Sequence, residues 1–216
     1  MIYSARHNYL FVHIPKTGGT SMALALEARA AKDDIMLGDT PKARNRRGRV
    51  SAIKAAGRLW KHSQLCDLYG LLTPEQIAEA HVFTVVRNPW HRMVSYYYWL
   101  QEQRFDHEAV RLAQSLSFSD FLRHPHTEAS FRANPYARYV TDENGADRCA
   151  LYVRLEHLET DLPKLEALIG LKLRPFPHQN PSNRAGAYQS YYSSGDAERL
   201  ATLCAEDIER FGYVFE

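Results

Sequence analysis

The sequence predicts an α/β domain with a central, mainly parallel sheet flanked by helices. Three observations carry that expectation. Short apolar, β-branched runs alternate with stretches of helical periodicity. Two of the runs end abruptly in polar turns, Pro15-Lys16-Thr17-Gly18-Gly19 and Arg87-Asn88-Pro89, and each turn leads into a helix-prone segment. The length, 216 residues, suits one domain spanning 1–216 with a substantial core.

Taken in order, Tyr9, Leu10, Phe11, Val12 and Ile14 read as the first strand. After the glycine turn, Thr20 or Ser21 caps a helix expected to run to about Lys32. The pattern breaks down from Asp33 to Val50, and a loop at about 39–50 carries Lys42, Arg44, Arg46, Arg47 and Arg49, with Arg58 further on. Such a run reads either as a solvated, mobile connection or as a basic lid over an anionic ligand. A helical stretch is expected from Ser51 to about Trp60. Thr73 then opens a short helix, with Pro74 at the first position and Gln76 placed for a capping box.

The run from His81 to Val86 suits a buried parallel strand. Pro89 starts a helix on which Trp90, Met93, Val94, Tyr97, Tyr98 and Leu100 fall at helical spacing, so its tyrosines read as packing. The segment 105–148 is helix-rich and weakly patterned, with a cap expected at Ser117 or Ser119. Ala150 to Glu156 reads as a third strand, and the helix after it stops at Gly170. A proline-rich loop follows, and Ser194 or Asp196 starts the last helix.

The composition, 45% hydrophobic and 24% charged, is that of an ordinary soluble protein. A net charge of +2 gives no general reason to bind nucleic acid or membranes, so anion recognition must come from local clustering. Three widely spaced cysteines, Cys66, Cys149 and Cys204, fit neither a disulfide framework nor a zinc site and suggest a reducing compartment. The N-terminus enters a strand at once, and no apolar run reaches the ~18 residues of a membrane span. A cytoplasmic protein is the expectation.

A strand, a tight glycine turn and a helix N-terminus together form a cradle for phosphate-like anions. Here Lys16 adds a full charge at the mouth of the turn. A Walker A loop places lysine after the glycines, whereas Lys16 precedes Gly18 and Gly19, which disfavours an ordinary P-loop kinase or NTPase. The second turn, R-N-P-x-x-R-x-x-S, sets Arg87 at a strand end and Ser95 two turns into the next helix, a pair suited to a terminal phosphate. Arg92 faces a different side, as a structural ion-pair partner. In parallel sheets ligands sit beyond the carboxyl ends of the strands, where both turns fall. No metal-ligand set stands out, and no metal is expected.

With both turns in view, the sequence resembles a known family. FVHIPKTGGTS resembles the 5′-phosphosulfate loop, and VVRNPWHRMVSYYY the 3′-phosphate motif, of sulfotransferases that use 3′-phosphoadenosine 5′-phosphosulfate (PAPS). The branch it is most similar to is the carbohydrate type, which includes heparan uronyl 2-O-sulfotransferases and many bacterial members. The likeness extends to KHSQLCDLYG, YVRLEHLETDL, HQNPSNRAGAYQSYY and AEDIERFGYVF, and is weak at Asp39–Arg49 and Phe105–Arg148, where acceptor recognition would vary.

The resemblance implies a P-loop-NTPase-like fold and in-line transfer of a sulfuryl group from PAPS to an acceptor, leaving 3′,5′-ADP. Lys16 would stabilise the bridging oxygen, and the backbone of Thr17, Gly18, Gly19, Thr20 and Ser21 would hold the sulfate and 5′-phosphate. Arg87 and Ser95 would hold the 3′-phosphate, with Ser182 and Arg184 as further candidates to close over it. His62 is the first choice of general base, since histidine titrates near neutrality, and Glu156 is the carboxylate alternative. His13 reads as a hydrogen-bonded strand-end residue. The acceptor would be a glycan, a lipid headgroup or a small hydroxylated metabolite. Two other readings stay open: a P-loop-like small-molecule kinase, which lacks a Walker B aspartate at its strand ends, and a noncatalytic anion-binding module using the basic loop.

Overall fold

A computed structural model of the chain describes residues 1–177 and 187–216. In order it contains β1 (Ile2–Ser4), β2 (Tyr9–Val12), α1 (Gly19–Glu27), β3 (Ile35–Met36), α2 (Pro41–Arg46), α3 (Pro74–Glu79), β4 (His81–Val86) and α4 (Pro89–Gln101). Next come α5 (Glu108–Ser115), α6 (Phe118–Arg123), α7 (Pro125–Ala133), α8 (Tyr136–Val140), β5 (Cys149–Arg154), α9 (Leu158–Ile169), α10 (Ser194–Leu203) and α11 (Ala205–Phe211). These form two compact units. One is Met1–Val86 with α8, β5 and α9; the other is Arg87–Pro135 with α10 and α11.

The first unit holds a five-stranded sheet of order β3-β1-β2-β4-β5. β2, β4 and β5 are parallel, with Phe11 beside Phe83 and Val86 beside Arg154, so their carboxyl ends share one edge. β2 and β4, buried at nearly every position, are apolar almost without interruption, whereas the edge strand β5 buries only Val153. Tyr9, Phe11, Phe83, Val85 and Val153 form one buried cluster with Met22 and Leu26 of α1 and with Leu162, Leu165 and Ile169 of α9. The Phe11 and Phe83 rings stack at 5.3 Å, and α8 packs against β4.

β1 and β3 are additions to the expected sheet, with β1 pairing antiparallel to both β2 and β3. Their three and two residues are too short to show an alternating pattern. The β1–β2 turn uses Asn8 at φ 49°, a left-handed conformation that asparagine tolerates better than most side chains.

Several boundaries move for local reasons. β2 ends at Val12, before Ile14. Neither Thr20 nor Ser21 caps α1; its N-cap is Gly18, and the helix ends at Glu27. There the chain turns away, and Asp34 accepts a bond from Ala31 N at 2.8 Å. No helix forms over 51–60, because that backbone bonds elsewhere: Ala56 N reaches Tyr69 O at 2.8 Å and Gly57 N reaches Asp67 O at 3.2 Å.

The basic run is ordered by its own cations. Much of it forms α2 and a following 3-10 turn. Lys42 donates to Glu27 O (2.7 Å), Arg46 to Asp34 O (3.0 Å) and Arg49 to Lys32 O (2.7 Å). These three side chains tie the run to the end of α1 and the chain leading to β3. The expected α3 cap is present, with Thr73 and Gln76 in a reciprocal box, and Gly170 ends α9 in the left-handed region.

In the second unit α4 is central. Trp90, Met93, Val94, Tyr97 and Leu100 are buried, while Tyr98 is half-buried. Tyr97 packs on Phe118 and Phe121 with ring centroids 5.4 and 5.2 Å away, and Trp90 donates to Ala197 O on α10 at 2.9 Å. Ser117, not Ser119, caps α6. Ser193 caps α10 one residue before the expected start, and a break at Cys204 separates α10 from α11. Among the described residues no helix is long and apolar enough to cross a membrane.

Candidate functional site

The turn after β2 is built by four residues under different constraints. Lys16 adopts φ 67°, a conformation that costs a non-glycine residue energy and concentrates at functional turns. Thr17 is fully buried and its hydroxyl donates to Ile14 O at 3.0 Å, closing the turn from within. Gly18 sits at φ 87°, and a Cβ there would meet Leu155 Cδ1 at 2.8 Å. At Gly19 an added Cβ would lie 2.1 Å from the His13 ring. The two glycines therefore answer to two separate close approaches.

α1 starts here with no side-chain cap and no acidic residue in its first turn. Its leading N–H groups, taken by no side-chain cap, carry the positive end of the helix dipole. Ser21 N is turned back to Gly18 O at 3.1 Å.

His13 and His62 stand behind the turn. His13 is buried, stacks on Phe11 at 5.7 Å and meets the His62 ring edge-on at 4.6 Å. His62 Nδ1 lies 2.8 Å from His13 O. A carbonyl can only accept, so Nδ1 carries the proton of the neutral ring and Nε2 keeps its lone pair. Burial lowers the His62 pKa to about 3; the bond to His13 O opposes this and the Lys61 charge adds to it. Burial, followed by His62 and with Lys16 contributing, holds His13 well below the usual histidine range. Both rings are neutral at pH 7. Trp60 meets His62 edge-on at 5.0 Å.

Thus the first unit brings His62, the Lys16 charge and Gly19 together through His13. His13, placed by sequence at a strand end just before Pro15, does more than that: its ring is the contact that joins the loop to His62. Glu156 lies exposed on a 3-10 turn between β5 and α9.

The second unit carries the other candidates. Arg87 precedes Asn88, the N-cap of α4, whose Oδ1 accepts from Trp90 N at 3.0 Å and His91 N at 3.3 Å. Asn88 Nδ2 also donates to Val214 O at 3.0 Å. Arg87 is half-buried with its Nε inside, and Ser95 is buried on α4. Arg92 is buried with its guanidinium 5.3 Å above the Phe131 ring. Ser182 and Arg184 lie outside the described residues.

Comparison with known proteins follows the same line. A family model described as the sulfotransferase family matches residues 1–214. No curated protein matches the chain. Among solved structures, the chain is similar to mouse sulfotransferase SULT7A1 complexed with PAP, with a TM-score of 0.53 at 13% identity, over 95% of this chain and 85% of that one. That likeness is one of fold.

Proposed function

The chain belongs to the sulfotransferase family, enzymes of sulfuryl transfer, and on that premise we propose that it uses PAPS and sulfates an acceptor hydroxyl, with 1–216 acting as a single sulfotransferase domain. The observation that carries this reading is the Lys16–Gly19 turn, opening on an uncapped α1 and tied through His13 to a neutral His62. The PAP in the mouse sulfotransferase supports the choice of a 3′-phosphorylated nucleotide.

In this reading the backbone from Thr17 to Ser21 binds the sulfate and 5′-phosphate. Lys16 neutralises charge that grows on the bridging oxygen as the S–O bond breaks. His62 Nε2 takes the proton of the attacking hydroxyl, and the lowered pKa of its ring keeps that nitrogen available. An anionic co-substrate nearby favours the imidazolium and so raises the basicity of the ring when it is needed. Arg87 and Ser95 bind the 3′-phosphate, with Ser182 and Arg184 assigned the same group. The carbohydrate-type resemblance favours a sugar hydroxyl as acceptor. Three cysteines outside any disulfide suit a reducing, cytoplasmic setting.

Calorimetry with 3′,5′-ADP and with ADP tests the cofactor. Tighter binding of the 3′-phosphorylated nucleotide, weakened in Arg87→Ala, is the expected result; equal binding of both sinks the reading. Lys16→Ala should lower kcat by roughly 10²–10³-fold, the scale of losing one oxyanion stabiliser.

A further inference from the structure

The segment 50–61 lacks regular structure but is held firmly. A 3-10 turn at Leu65–Leu68 with a Gln64–Asp67 capping box backs it. Two glycines allow the close approach: a Cβ on Gly57 would strike Asp67 Oδ1 at 2.0 Å, and one on Gly70, at φ 90°, would strike Lys54 O at 2.5 Å. Buried Ser63 clamps the far end, with Oγ 2.8 Å from Arg58 O and accepting from Trp60 N at 2.9 Å. The KHSQLCDLYG island is therefore a brace as well as the source of His62.

The braced segment is one wall of a cavity of about 690 Å³, closed on the other side by residues around Met36 and Arg47. The volume lies in the range of small-molecule sites, roughly 300–1,000 Å³. Four cations line it (Arg47, Lys54, Arg58 and Lys61) against one carboxylate, Asp39. Asp39 is already engaged by Lys61 at 2.8 Å and Arg47 at 3.7 Å. Among the described residues no carboxylate lies within ion-pair distance of Lys54 or Arg58. Two exposed large apolar side chains, Ile53 (38% exposed) and Trp60 (39%), line the same cavity. Arg58 lies 4.8 Å over the Trp60 ring, and that ring's neighbour is His62. A held platform of one aromatic ring, two cations without carboxylates and an adjacent base is more than a solvated charge run.

We propose that this cavity is the acceptor site, and that it takes a compact hydroxylated ring, sugar or aryl, bearing a carboxylate or phosphate. The ring lies on Trp60 beside His62, and the anion meets Lys54 and Arg58. The word acceptor rests on the sulfotransferase reading above; the anion preference does not. A neutral acceptor would leave the excess positive charge without a role, and a volume of this size matches a small molecule or a chain terminus.

The test compares matched probes: methyl β-D-glucuronide, its neutral counterpart methyl β-D-glucoside, and 4-hydroxybenzoate as the aryl anion. Binding to the full chain is followed by tryptophan fluorescence and calorimetry. The glucuronide should bind ~10-fold or more tightly than the glucoside, as expected for charge-assisted contacts. Lys54→Ala with Arg58→Ala should remove that preference, both residues being exposed and dispensable for folding. Tighter binding of glucuronide than of hydroxybenzoate assigns the sugar, and the reverse the aryl ring. Equal binding of the charged and neutral glycosides, a preference that survives in the double variant, or no binding of either anion overturns the site. Titration of 3′,5′-ADP on the same proteins separates the two ideas. Retained nucleotide binding without anion preference removes only the pocket. Anion preference without nucleotide binding removes only the sulfotransferase reading.

Discussion

His62 combines two properties that a surface histidine lacks: its Nδ1 proton is committed to His13 O, and burial holds its pKa at about 3. The first makes Nε2 the reactive nitrogen, and the second keeps it unprotonated across the physiological range. His62→Ala should therefore lose roughly 10²–10⁴-fold in kcat, the usual worth of a general base, with 3′,5′-ADP affinity kept. The pH profile is the sharper measurement. kcat/KM reports the free enzyme, so its acid limb should lie near pH 3 instead of about 6.5. The limb in kcat should sit higher, because bound anions favour the imidazolium. A kcat/KM limb at the ordinary histidine value would remove His62 from the role. The histidine itself was legible as part of K-H-S; its tautomer was not, since that depends on a carbonyl 49 positions away in the chain.

Elements whose cues are local could mostly be read from sequence, the α1 cap excepted, and those made by distant contacts could not. Thr73 and Gln76 sit three residues apart and form the capping box the spacing implies; Gly170 ends α9 as a C-terminal glycine should. The absent helix at 51–60 and the ordered basic run both depend on partners elsewhere, at Asp67 and Tyr69 for the first and on the α1–β3 connection for the second. Two predictions belong at this scale. Gly19→Ala drives a Cβ into the His13 ring, which is packed against Phe11 and His62, and should cost about 1–3 kcal/mol as an overpacked site. Adding His13→Ala should recover part of that loss; simple additivity of the two unfolding free energies would break the proposed contact. In the basic run, half-buried Arg46 anchors Asp34 O, so Arg46→Ala should lower stability by about 1 kcal/mol. Exposed Arg47, whose ion pair to Asp39 is long at 3.7 Å, should be replaceable by alanine with little change in the urea midpoint.

Over the whole molecule, the buried ionisable groups with shifted pKa values bias stability against acid in two stages. His13 and His62 are neutral in the folded chain and have folded pKa values below 6.5, so the unfolded chain binds more protons through that interval. Their contribution is complete above about pH 6.5 and is lost as pH falls toward the folded values. The carboxylates act lower. Bonds from Arg154 hold Asp161 well below its ordinary value, and the Leu173 N–H holds Glu166 down in the same way. For Asp196, burial pushes upward, but hydrogen bonds from Ser193 and Ser119 together with Arg123 outweigh it and the net shift is downward. Depressed carboxylates stabilise above their unfolded pKa values, about 4, and lose that contribution as pH falls further. Burial likewise lowers the Met1 amino group to about 5, so the urea midpoint should decline from about pH 8 downward and steepen below about 4. His62→Gln, which cannot titrate, should make the upper stage shallower, His13 and the Met1 amino group still contributing, and leave the lower one. A midpoint constant between pH 6.5 and 4.5 in the unsubstituted chain would mean that the two rings are not held neutral by burial, and the unprotonated base assigned to His62 would lose its physical ground.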